Sequence, residues 1–246
     1  MKIRYLPLSV LLGLFLCQTS FQNVSAQEAP PNSPVEFIIQ KVINKIAENE
    51  VAKKSLTYKR IHTIENLDNK EQVTDKEREE IALIEVGGKE SIIWLNGKQV
   101  KRDKTSQPDF DLVKALNAMA KLDEFRINGL EMIGGRPCYL ISFKAKPEIT
   151  AKGDLEDIMM RSEGEMYVDI EKFYIKKLSA KLIREYERCF GCFKLMRADF
   201  TVEQEEFGGI VVMKSITIID KFFALKNFGI TFERKTYTYK DYEKKQ

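Results

Sequence analysis

The chain predicts an α+β fold in which one large, curved antiparallel sheet carries two or three helices on one face. Two observations lead there. About nine or ten runs alternate apolar and polar residues and are bounded by glycine, asparagine or aspartate turns, whereas only two or three stretches repeat at helical spacing. Several of the strand-like runs are joined by two-residue turns such as Gly134-Gly135, a connection open to antiparallel pairs and closed to parallel ones. So many strands in one open sheet tend to curl.

Taken in order, residues 1–26 predict a cleaved export leader. Lys2 and Arg4 precede an apolar run from Leu6 to Leu16 that is too short to span a bilayer comfortably, and Val24-Ser25-Ala26 supplies small residues for cleavage. The bland alternative is an uncleaved anchor. Residues 27–32 read as a disordered linker, and 33–246 as a single domain. Ser33 is a good N-cap, Pro34 suits the first helical position and Glu36 completes a capping box. Val35, Ile38, Ile39, Val42, Ile43 and Ile46 then form one apolar stripe, with Gln40, Lys41, Asn44 and Lys45 opposite.

Strands are predicted at Leu56–Glu65, Arg78–Val86 and Ser91–Val100, the last with an Asn96-Gly97 hairpin inside or ending it. A second helix is predicted from Pro108 to about Glu124, its apolar face made by Phe110, Val113, Leu116 and Ala120 with Leu112 and Met119 beside it. A meander follows: Ile127–Ile133, the Gly134-Gly135 turn, then Pro137–Lys146, with Tyr139, Ile141 and Phe143 on one face. The insert from Ile149 to Glu163 predicts a short helix or lid near Leu155, Ile158, Met159 and Met160. A further strand ends at Asp169, and the next carries Leu178, Ala180 and Leu182 on a single face. Three long strands complete the chain. Phe193–Phe207 aligns Met196, Ala198, Phe200 and Val202; Ile210–Phe222 aligns Ile210, Val212, Ile216 and Ile218; Phe228–Tyr242 alternates Phe228, Ile230 and Phe232 before a tyrosine-rich tail.

Charge excludes some partners. Loss of Lys2 and Arg4 with the leader, which has no acidic residue, takes the net charge from +3 to +1. That balance makes no electrostatic case for nucleic acid or an anionic membrane face. No cofactor or metal motif is present, and no span follows the leader. His62 is the only histidine and has no nucleophile motif near it, which points to packing rather than catalysis. Glu77, Glu79, Glu80, Asp154, Glu156 and Asp157 read as solvated faces. Cys189-Phe190-Gly191-Cys192 is consistent with a disulfide across its own turn, with free thiols, or with a thioredoxin-like redox pair. The strand context disfavours the last.

The segments NGLEMIGGRPCYLISFKAKP (128–147) and GEMYVDIEKFYIKKLSAKL (164–182) resemble the exported bacterial outer-membrane lipoprotein-sorting proteins, relatives of the periplasmic carrier LolA. The motifs cover about residues 125–185, on the strength of a loose strand-turn-strand pattern. The chain departs from the pattern where Ala145 replaces the usual proline and in having the Cys189/Cys192 pair. The resemblance implies an incomplete β-barrel curved around helices, with an apolar cavity for acyl chains between them. It implies a periplasmic or secreted protein, non-catalytic, taking a lipid or lipoprotein acyl chain as ligand. The expected walls are Tyr139, Ile141, Phe143, Leu178, Ala180, Leu182, Met196, Phe200 and Val202, roofed by Ile39, Val42, Ile46, Leu116, Met119 and Met159. The plain alternative for each is a filled core. A monomer is expected. An envelope protein partner is the rival reading, with Tyr237, Tyr239 and Tyr242 either a contact surface or an ordinary edge-strand face.

Overall fold

The computed structural model describes residues 34–104, 112–225 and 229–244. The predicted leader and linker, Ser33, Pro108 to Phe110 and Phe228 lie outside the described residues. Three helices and twelve strands are present among them: α1 (Pro34–Lys53), β1 (Leu56–Leu67), β2 (Val73–Ile84), β3 (Glu90–Leu95), β4 (Lys98–Lys104), α2 (Leu112–Leu122), β5 (Asp123–Ile133), β6 (Arg136–Ala145), α3 (Asp154–Met160), β7 (Ser162–Asp169), β8 (Ile175–Leu182), β9 (Tyr186–Arg188), β10 (Phe193–Phe207), β11 (Ile210–Ala224) and β12 (Gly229–Lys244). A single 3-10 turn, Cys189–Gly191, joins β9 to β10.

All twelve strands belong to one antiparallel sheet ordered β4-β3-β2-β1-β12-β11-β10-β8-β7-β6-β5, with β9 paired to β10. The edges, β4 and β5, do not pair, so the sheet is open. Two meanders occupy its ends, β1 to β4 and β5 to β8, and β10 to β12 fill the middle. The first strand thereby lies beside the last. Near the β1–β2 turn, Arg197 of β10 donates to Glu71 at 2.7 Å and Lys221 of β11 to Asn69 at 3.1 Å, so this tip folds back across β12.

Local chemistry accounts for the turns. Asn96 and Gly97 adopt φ of 46° and 79°, the left-handed pair that a two-residue hairpin requires, and they split the predicted third strand into β3 and β4. In the β7–β8 turn, Asp169 Oδ1 accepts the N–H groups of Glu171 (3.0 Å) and Lys172 (2.9 Å), while Arg136 donates to its other oxygen at 3.0 Å. Burial works against the Asp169 carboxylate, but these donors hold its pKa below the ordinary value. Arg136 and Asp169, one from each of the two segments that carry the resemblance, are thus two halves of one turn clamp.

Four details depart from expectation. Helix α2 ends at Leu122, and β5 begins at Asp123 rather than Ile127, because Lys146 N–H pairs with the Leu122 carbonyl and carries the ladder down to the helix end. A register shift between Leu195 and Arg197 sets Leu195, not Met196, into the interior with Ala198. Strand β12 is central, so Tyr237 pairs on both sides and is not an edge-strand residue, while Tyr239 and Tyr242 lie beyond the last pair with β11. Its buried set is Glu233, Lys235 and Tyr237; Ile230 is exposed, and Phe232 lies on the other face under Arg197 and Lys221. Glu80, read as solvated, is buried.

Candidate functional site

The face beneath the helices carries the candidate site. From α1 come Ile39, Val42 and Ile46, and from α2 Leu116 and Met119; they share one buried cluster with Ile141 and Phe143 of β6, Leu178 of β8 and Val202 of β10. Tyr139, Met159, Ala180 and Phe200 pack against its margin, partly buried. The residues gather because α1 repeats its apolar positions at helical spacing while each strand offers every second residue. Asn49 anchors the end of α1 by accepting the Val211 N–H at 3.3 Å. Two of the predicted wall residues fall elsewhere: Leu182 packs in a separate cluster with Tyr186, Leu195 and Phe222, and Met196 is displaced by the register shift. Ile38, Ile43 and Leu112 of the two helices also belong to the large cluster, as do Met166, Val168, Ile175, Ile216 and Tyr237 of the sheet, which were not among the expected walls. For β7 the missed signal is simple alternation, Met166 and Val168 against Tyr167.

The same face is not greasy throughout. Along β11 its residues run Ile216, Ile218, Asp220, Phe222: the first two join the large cluster, the last joins the second, and Asp220 lies between with 0% exposure. Opposite it on β12 is Glu233, and from the next inner-face position of β12 Lys235 donates to Asp220 Oδ2 at 3.1 Å and also pairs with Glu233. Burial drives the Asp220 carboxyl above its ordinary pKa, only partly offset by Lys235. Burial pulls on the Lys235 ammonium in the opposite sense, yet Asp220 and Glu233 more than offset it and hold it raised.

A second polar group lies towards β3. Arg60 of β1 donates to Glu90 at 2.7 Å and lies 4.0 Å from Glu80, which also pairs with Arg78. His62 stacks on Tyr237 with ring centroids 4.2 Å apart, and Arg60 lies over the same ring. These side chains are buried, and His62 serves as a packing residue within a charged network. Strand sequences such as KRIHT and FERKTY look solvent-facing, which is why this half of the face escapes sequence reading.

Asp123 is buried at the start of β5, its pKa raised by burial from the ordinary 3.8 to about 7, with Lys146 opposing in part. A carboxyl that keeps its proton when folded and loses it when unfolded makes stability fall with pH, here from about 4 to about 7. Asp123→Asn is therefore expected to raise the thermal midpoint at pH 8 and leave it unchanged near pH 4. An equal effect at both pH values in parallel melts would refute this.

Cys189 and Cys192 are unbonded thiols, one of the alternatives that the sequence leaves open. Cys192 Sγ donates to the Arg188 carbonyl at 3.4 Å. Its interaction with Cys189 raises the Cys192 pKa, the reverse of what a nucleophilic redox thiol needs. Among the described residues no group of three or more His, Cys, Asp or Glu side chains is placed to hold a metal ion. None of their helices is long and apolar enough to cross a membrane.

No protein-family model matches the chain, and no curated protein does. Similar solved structures include a DUF1329 family protein from Desulfovibrio piger, with 11% identity and a TM-score of 0.35, covering 87% of this chain and 94% of that one. A LolA superfamily protein from Nitrosomonas europaea shows 13% identity and a TM-score of 0.32, covering 86% and 93%. The MucA/MucB complex of Pseudomonas aeruginosa gives 10% identity and a TM-score of 0.28, covering 87% and 100%. Likenesses this distant carry no argument about activity.

Proposed function

We propose that this chain is an exported, non-catalytic protein that holds the acyl chain of a lipid or lipoprotein between its helices and its sheet, as a carrier in lipoprotein sorting to the outer membrane. One observation carries the reading: an open sheet meets α1 and α2 through a single apolar cluster to which Met119 and Met166 contribute, with Met159 and Met213 at its margin. Methionine repacks around irregular shapes, so a helix layer resting on it can admit a chain without a fixed polar constellation. Burial is worth about 0.8 kcal/mol per methylene, so a chain of ~15 gains about 12 kcal/mol before ordering costs. Delipidated protein titrated with a fluorescent fatty acid is expected to give saturable one-to-one binding that a diacylated peptide displaces. Failure of both ligands to bind would remove the proposal.

One feature favours a scaffold role instead. On the edge strand β5, Leu130 and Met132 are 62% and 65% exposed, and such an edge accepts a partner's strand. An envelope protein retained after complete delipidation would support that reading over the carrier.

A further inference from the structure

We propose that the Asp220–Glu233–Lys235 group receives the ammonium head of an amphiphile, the ligand class being an alkylamine-like cation rather than a fatty acid anion. The inference rests on the acyl-chain reading above and specifies the polar end of the same ligand.

Position makes the first case. Asp220 separates the two apolar clusters along β11, so a chain lying in the large cluster reaches this group one inner-face position beyond Ile218. The neighbours in register are Ile64 and Asn66 on β1 and Ala198 on β10, none of which carries charge. No second cation stands beside the group at those positions.

Charge makes the second. Asp220, Glu233 and Lys235 are 0%, 6% and 2% exposed, and they place two carboxylates against one ammonium. Buried charges need matched partners, because desolvation is expensive and the low dielectric magnifies what remains uncompensated. Asp220 Oδ1 is fully buried and has no hydrogen-bond partner among the described residues, while Oδ2 accepts a hydrogen bond from the Lys235 ammonium. The unused lone pairs therefore call for a donor. An incoming carboxylate or phosphate would add a third negative charge; an ammonium supplies donors for Oδ1 and makes the set two against two.

The test compares dodecylammonium, dodecanoate and dodecanol at pH 7.5 by displacement of a fluorescent chain probe from delipidated protein, below micellar concentrations. Dodecylammonium is expected to bind at least tenfold more tightly than dodecanoate, and this ratio to collapse towards one in Asp220→Asn. Glu233→Gln provides a second variant should the first not fold, and the wild-type order decides alone if neither does. Equal binding of the two ions, a preference for dodecanoate, or an unchanged ratio in either folded variant would overturn the inference. If dodecanol binds and the ammonium has no advantage, the acyl-chain reading survives without it; if none of the three binds, both fall.

Discussion

Gly164→Ala is expected to cost about 3 kcal/mol or more, the upper end of what overpacking a core does. A methyl group at this position would meet the Ser179 carbonyl oxygen at 2.1 Å, Phe143 Cζ at 2.5 Å and Ala180 Cα at 2.9 Å. Two of those three atoms are backbone of β8, held in register with β7, and cannot retreat without breaking the ladder. The third belongs to a ring that lies in the space a side chain would fill. Gly153→Ala is the matched control: its backbone is extended, with φ of 179°, and nothing lies within 4 Å of the added carbon. Urea unfolding is expected to show a large fall in midpoint for the first variant and almost none for the second. A midpoint for Gly164→Ala equal to that of wild type would mean that β7 and β8 do not approach as described.

The second large effect is expected from Lys235→Met. Removing one partner of a buried ion pair costs about 3–5 kcal/mol, because the charge left behind has lost both water and counterion. Here two carboxylates, Asp220 and Glu233, would be left. Burial raises the proton affinity of the Asp220 carboxyl, which gives the loss a pH signature. With Lys235 gone, Asp220 holds its proton in the folded state at a pH where the unfolded chain has released it. Stability of the variant therefore falls as pH rises through and above the ordinary carboxylate range, and the gap to wild type narrows on acidification. Parallel unfolding curves at pH 5 and pH 8 check this: a deficit independent of pH would show that Lys235 acts by packing its methylenes alone.

Fold class was legible because it rests on periodicity. Alternation along β6, β8 and β10, the two-residue turns and the stripe on α1 all act locally, and each appears in its expected segment. Most of those residues, from Ile39 to Val202 but without Leu182 and Met196, meet in one cluster because a helix stripe and a strand face have only one another to bury. Legibility failed where a residue's face depends on a non-local event. The register shift at Leu195 and Arg197 exchanges Met196 for Leu195, and no local pattern announces it. Strand β12 was misread for a different reason: Phe232 looks like core and Lys235 like surface, yet β12 lies between β1 and β11, and the charged face is the buried one. Pairing of Lys235 with Asp220, fifteen residues away across a hairpin, is what makes that burial possible. Arg136 and Asp169 lie in the two segments that carry the resemblance, but their role as a turn clamp needed the β6–β7 register.

The most direct test of the acyl-chain reading is native mass spectrometry of the protein purified, without delipidation, from the envelope fraction of its own cells. A mass above that of the unliganded protein by one lipid, shed on collisional activation and regained by delipidated protein incubated with the extracted lipid, is the result predicted. A single unliganded mass, together with no uptake of extracted envelope lipid, would contradict it.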